Sequence, residues 1–234
     1  MTDQPSPESR TRRHSDTRVF SRTLIYFHIV HTQADMGDLS GQITRATLQR
    51  VGQRGLQRKL KTIEQVWDRL EAALARLDLS YDRVRLYQDG LPVCGREIDL
   101  VLDLAQRGSR NHQLLQRLMA QGATLMGTES GDLLRQEYDL ARQNLPAPAR
   151  GRSAVAAARS RDLSAALLAR RDQFIARRIN DTLQAGETGI LFMGLLHAVE
   201  PYLDRDIRVT HPLPRPARGE DRHDALSWPH SHCR

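Results

Sequence analysis

Lysine is nearly missing from this chain. Of its 35 basic residues only Lys59 and Lys61 are lysines, which leaves 33 arginines. A GC-rich coding sequence produces such a skew, because most arginine codons are GC-rich. The net charge of +7 and the pI of about 10.1 therefore say less about nucleic-acid binding than they would in a lysine-rich chain. Aromatic residues are also scarce, at 5%, and do not alternate with basic ones to form a stacking platform for bases. Arginines are interspersed with acids, as at Arg69 and Glu71, in the manner of solvated helix faces. Nucleic acid is not the expected partner.

Cysteine is limited to Cys94 and Cys233, too few and too far apart for a disulfide framework or a four-cysteine zinc module. No run of 18 apolar residues occurs, so no membrane-spanning helix is expected. Residues 1–22 are polar and lack the apolar stretch of a secretory signal, which makes the cytoplasm the expected location.

What is present suits a globular fold. The chain is 234 residues long, enough to bury a core without disulfides or a structural metal. Residues 1–22, with Pro5, Pro7 and several arginines, read as a disordered basic arm. Residues 212–234, broken by Pro212, Pro214 and Pro216, read as a second disordered tail. Between them, 23–211 is the length of one domain, about 190 residues. A stretch rich in Pro, Ala and Arg, 146–153, reads as a loop between helices.

Within 23–211 strands and helices alternate. The run 23–30 is apolar, β-branched and aromatic, as a buried strand requires. Asp38 or Ser40 can cap a helix running toward Arg50. In 59–77, Leu60, Ile63, Trp67, Leu70, Leu74 and Leu77 recur at steps of three and four, forming one apolar stripe of a helix. Further strands are expected at 82–88, 123–127, 189–194 and 206–209, with helices at 96–106, 111–121, 129–145 and 163–185. Strands separated by helices imply crossover connections. The expected fold is α/β, a single domain with a central, mostly parallel sheet flanked by helices. Ligands in such sheets bind outside the carboxyl ends of the strands.

Four strand ends carry the chemistry. The first ends at His31, followed by Asp35 and Asp38; the second at Asp89; the third at Gly127 and Glu129; the fourth at Gly194 and His197. Two imidazoles and a carboxylate can bind a divalent metal and leave a position for water, whose pKa the metal would lower. The same groups permit metal-free chemistry, with Glu129 as base and a histidine as acid. Singly, each residue also has a structural reading: His31 and His197 as hydrogen-bonded core histidines, Glu129 as a complement to a helix dipole. Arg171 lies one step before Ile175, Ile179 and Leu183 on a single stripe. An arginine there either pairs with a buried carboxylate or phosphate or snorkels to solvent. The tail cluster His230, His232 and Cys233 is of a kind that can bind a soft metal, although such clusters at chain ends are usually adventitious.

The segment from Arg171 to Ile179, with Leu183, Gly186 and the run Gly189 to His197, resembles the C-terminal motif of the TraB/ChaN/TIKI-like superfamily, related to the erythromycin esterase-like proteins. That motif pairs Arg-Asn at a helix with a strand ending in Gly-x-x-His. The resemblance covers about residues 23–210 in order and spacing, with His31 ending the first strand and Gly127-Thr-Glu129 as the middle element. His28 stands where the family has glycine, Asp172 replaces the asparagine, and Asp89 is the one acid at the end of the second strand. The superfamily contains metal-dependent proteases, esterase-like proteins and haem binders. The resemblance thus implies a hydrolase acting on a peptide or small molecule. In that reading Glu129 and Arg171 are catalytic, and His31, His197 and Asp89 hold a divalent ion (Mn, Zn or Fe). His28, Asp35, Asp38, Gly127, Asp172 and Gly194 are supporting residues. The alternative is a non-catalytic module that binds haem, through His28, His31 or His197, or a protein partner.

Overall fold

The computed structural model describes residues 21–32, 40–144 and 154–214. Residues 1–20 of the expected 1–22 arm, Asp35, Asp38, the 146–153 loop, and residues 215–234 of the expected 212–234 tail with its His/Cys cluster lie outside them, while Arg22, expected in the arm, opens the first strand.

Five strands form one sheet in the order β3-β2-β4-β1-β5: β1 (Arg22–Ile29), β2 (Val84–Gln88), β3 (Thr124–Met126), β4 (Thr188–Gly194) and β5 (Ile207–Thr210). Every pairing is parallel. All five expected strands are present, within a residue or two of their expected bounds. The helices are α1 (Ser40–Leu74), α2 (Glu97–Gln106), α3 (Arg110–Ala120), α4 (Gly131–Asn144) and α5 (Ala154–Thr182). No helix among the described residues is long and apolar enough to cross a membrane.

Two helices differ from expectation. The segments expected before Arg50 and after Lys59 are joined into α1, kinked at Gly52, whose φ of 69° is easy for glycine alone. Helix α5 begins at Ala154 rather than Leu163. Its first turns are mostly exposed, so no apolar stripe announces them, and the alanine-rich run 154–158 forms helix by intrinsic propensity.

Alternation along the strands sends side chains to two faces. On one face Ile25, Phe27, Ile29, Leu86, Ile190 and Phe192 pack against Trp67 and Leu70 of α1, Val101 of α2 and Leu115 of α3. On the other, Leu24, Tyr26, Tyr87, Leu191 and Met193 pack against Ile175, Ala176 and Ile179 of α5 and Leu183 just beyond it. Each fully buried side chain of this size contributes about 1.5–3 kcal/mol. The two faces clamp the sheet and bring the carboxyl ends of β2, β4 and β1 side by side.

Candidate functional site

Asp89 is the first residue beyond β2. Its backbone N–H donates to the Phe192 carbonyl at 2.9 Å, which prolongs the β2–β4 ladder by one position. Asp89 thus points to the same face as Tyr87, toward α5. Glu129 is set in place by the chain after β3: its N–H donates to the Leu91 carbonyl at 2.9 Å, and its own carbonyl accepts from Val93 N–H at 2.8 Å. Thr128 ties the two strand ends together by accepting from Gln88 N–H at 2.9 Å.

Arg171 organises these acids. The stripe Arg171, Ile175, Ile179, continued by Leu183 just past the helix end, is the buried face of α5, and the arginine is only 2% exposed, so it does not snorkel. Its Nε donates to Glu129 Oε2 at 2.7 Å and its Nη2 to Glu129 Oε1 at 2.5 Å, a bidentate grip. Nη2 also donates to Asp89 Oδ1 at 2.8 Å, and Nη1 to Glu137 Oε2 at 2.6 Å. One guanidinium therefore holds three carboxylates. Burial works against its charge, but Glu129, Glu137 and Asp89 outweigh burial and raise its pKa well above the usual value.

His197 closes the other side. Its Nδ1 lies 2.5 Å from Asp172 Oδ1, and Asp172 Oδ2 accepts from Ala198 N–H at 3.0 Å. Nε2 then faces Asp89, 3.6 Å from Oδ1. Burial alone would lower the imidazole pKa; Asp89 and Asp172 outweigh it and push His197 up to about 10. Burial favours a protonated Asp89, but His197, His31 and Arg171 prevail and hold it well below the carboxylate range. Burial likewise pushes Glu137 up to about 7, against the pull of Arg171.

Asp89, Glu129 and His197 offer ligand atoms that all lie within 4.8 Å of one another, a buried group that could hold a metal ion. The structure thus assembles most of the expected set, with a change of partners. Glu129, expected as a catalytic residue, belongs to that group. His31 instead stands beside Asp89, its Nε2 3.2 Å from Oδ2. Gly194 supports the same oxygen: its N–H donates to Asp89 Oδ2 at 2.9 Å, and a β-carbon there would lie 2.9 Å from that atom. Gly127 borders the site through its carbonyl, which accepts from Arg178 Nε at 3.2 Å. His28 lies apart, in a ring cluster with Tyr26 at 4.6 Å and His211 at 5.8 Å.

Glu137 is the residue that sequence reading missed. A signal was available: in α4 it follows the buried Leu133 and Leu134 by four and three positions, which places a carboxylate on the buried face. No family model matches the chain, and neither a curated protein nor a solved structure matches it.

Proposed function

We propose that this chain is a divalent-metal-dependent hydrolase of peptide or ester bonds, with Asp89, Glu129 and His197 as the protein ligands. The observation that carries the reading is the Asp172–His197 contact. In the neutral ring a carboxylate on Nδ1–H fixes the tautomer that leaves the Nε2 lone pair free to bind an ion, an arrangement typical of metal-bound histidines. Two carboxylates and one imidazole suit a hard or borderline ion such as Mn, Zn or Fe better than a haem axial position. An ion bound there supplies Lewis acidity and a water of lowered pKa. The residues around it have separate tasks. Arg171 fixes Glu129 and Asp89 and compensates their charge. His31 and Gly194 fix the second oxygen of Asp89. Glu137, with its pKa near neutrality, can hold or release a proton beside Arg171.

The order of residues at the strand ends supports membership of the TraB/ChaN/TIKI-like superfamily as part of the same proposal. The test is hydrolysis of a panel of chromogenic esters and a peptide mixture by protein loaded in turn with Mn, Zn and Fe(II). Turnover that requires an ion and is lost in His197→Ala supports the proposal. Failure to turn over any ester or peptide with each ion contradicts it.

A further inference from the structure

One nitrogen of Arg171 joins the oxygens that the proposed metal site would use. Its Nη2 donates to Glu129 Oε1 at 2.5 Å and to Asp89 Oδ1 at 2.8 Å. Asp89 Oδ1 is also the oxygen that faces His197 Nε2, 3.6 Å away. The other oxygen of Glu129, Oε2, accepts from Arg171 Nε at 2.7 Å. Whichever oxygen Glu129 offers to an ion, the guanidinium is already on it. The second oxygen of Asp89 is no alternative, because His31 Nε2 and Gly194 N–H are on it at 3.2 and 2.9 Å.

An ion such as Zn bonds a carboxylate oxygen at about 2.0–2.2 Å. An ion held by Glu129 Oε1 and Asp89 Oδ1 together must come to the two atoms that Nη2 bridges. A divalent ion and a guanidinium on the same pair of oxygens repel each other, and in a buried site water screens that repulsion weakly. The guanidinium satisfies the two carboxylates much as an ion would.

Glu137 gives the guanidinium a place to go. It accepts from Nη1 at 2.6 Å and is not one of the three residues whose ligand atoms converge. Its side chain is 11% exposed, against 4% for Asp89 and 0% for Glu129, so it lies nearest the surface of the three. An arginine drawn back toward Glu137 keeps a charged partner and avoids the cost of a buried unpaired cation.

We infer that Arg171 is a built-in competitor for the metal: it neutralises Asp89 and Glu129 in the ion-free chain and withdraws toward Glu137 when a divalent ion binds. The inference deepens the proposed function and rests on its choice of ligands. It gives Arg171 an effect opposite in sign to that of a residue that only positions ligands. Loss of a positioning residue weakens metal binding, whereas loss of a competitor strengthens it.

The test is calorimetric titration of the chelator-stripped full chain with Zn and with Mn at one fixed pH. Parent and Arg171→Met are compared, with circular dichroism to confirm the fold. Methionine fills much of the same space without a charge or a donor. Arg171→Met should bind each ion at least about tenfold more tightly than the parent. Its melting temperature should also gain more from saturating ion than the parent's does. An affinity of folded Arg171→Met equal to or below that of the parent overturns the inference and leaves the metal reading standing. Binding by neither chain contradicts the metal reading and the inference with it. If Arg171→Met folds neither with nor without ion, Glu137→Gln decides. Without the Glu137 charge the withdrawn guanidinium has no ionic partner, so affinity should fall several-fold with the fold retained. An affinity unchanged or raised in Glu137→Gln then overturns the inference.

Discussion

Asp172 and His197 are 25 positions apart and meet with Oδ1 2.5 Å from Nδ1. The second oxygen of Asp172 accepts from the N–H of Ala198, so one carboxylate fixes both the ring and the backbone that follows it. In the proposed metal site this contact directs Nε2 of a histidine at a strand end toward the ion. Asp172→Ala should lower metal affinity about 10- to 100-fold while leaving the fold intact. Asp172→Asn, which still accepts from Nδ1–H but lacks the charge, should lose less. Competition titration against a fluorescent zinc chelator measures both, and affinities equal to that of the parent protein would count against the assignment.

Arg171 joins three carboxylates in an environment where water cannot replace it. Arg171→Met leaves those charges buried without their cation and should cost about 3–5 kcal/mol in urea unfolding. Arg171→Lys should not restore the loss, because a single ammonium cannot reproduce the bidentate grip on Glu129 together with the bonds to Asp89 and Glu137. Wild-type stability in the lysine variant would contradict this account of the site.

Gly194→Ala should destabilise the chain by about 1–3 kcal/mol, since the new β-carbon meets Asp89 Oδ2, which the bonds of Asp89 to Arg171 and His31 hold in place. The same change should weaken metal binding at the proposed site by displacing the Asp89 carboxylate. A change confined to stability, with affinity unaltered, would separate Gly194 from the site.

Stability should fall from neutral to alkaline pH in the ion-free protein. Folded His197 keeps its proton to about 10, against 6.5 for the free side chain, and folded Glu137 to about 7, against 4.5. In both cases the folded chain binds more protons than the unfolded one, so rising pH favours unfolding, through Glu137 between about 4.5 and 7 and through His197 between about 6.5 and 10. Asp89 acts in the opposite sense: its contribution is present above the ordinary carboxylate range and is lost as pH falls through its lowered value. Melting temperatures across this range give the test. His197→Gln should flatten the alkaline limb, and an unchanged limb would refute the attribution.

Much of this was legible in the sequence because strands report themselves. The apolar runs at 23–30 and 189–194, with helices between the strands, implied a parallel sheet, and that placed His31, Asp89, Glu129 and His197 on one edge. The stripe through Ile175, Ile179 and Leu183 placed Arg171 on a buried face. Contacts across elements were not legible. Nothing local marks that Arg171 holds Asp89 beyond β2, Glu129 beyond β3 and Glu137 of α4, or that His31 Nε2 meets Asp89 Oδ2. The start of α5 escaped for a different reason: an exposed helix carried by alanine needs no apolar period.

The most direct test is calorimetric titration of chelator-stripped protein with Zn and Mn, in the parent chain and in His197→Ala and Asp89→Asn. In the ion-free protein His197 must give up its proton to bind, so affinity should rise about tenfold per pH unit below the His197 pKa. The account predicts one ion per chain, this pH dependence, and loss of binding in both variants with the fold retained. Absence of binding by the parent chain, or unchanged binding in His197→Ala, would contradict it.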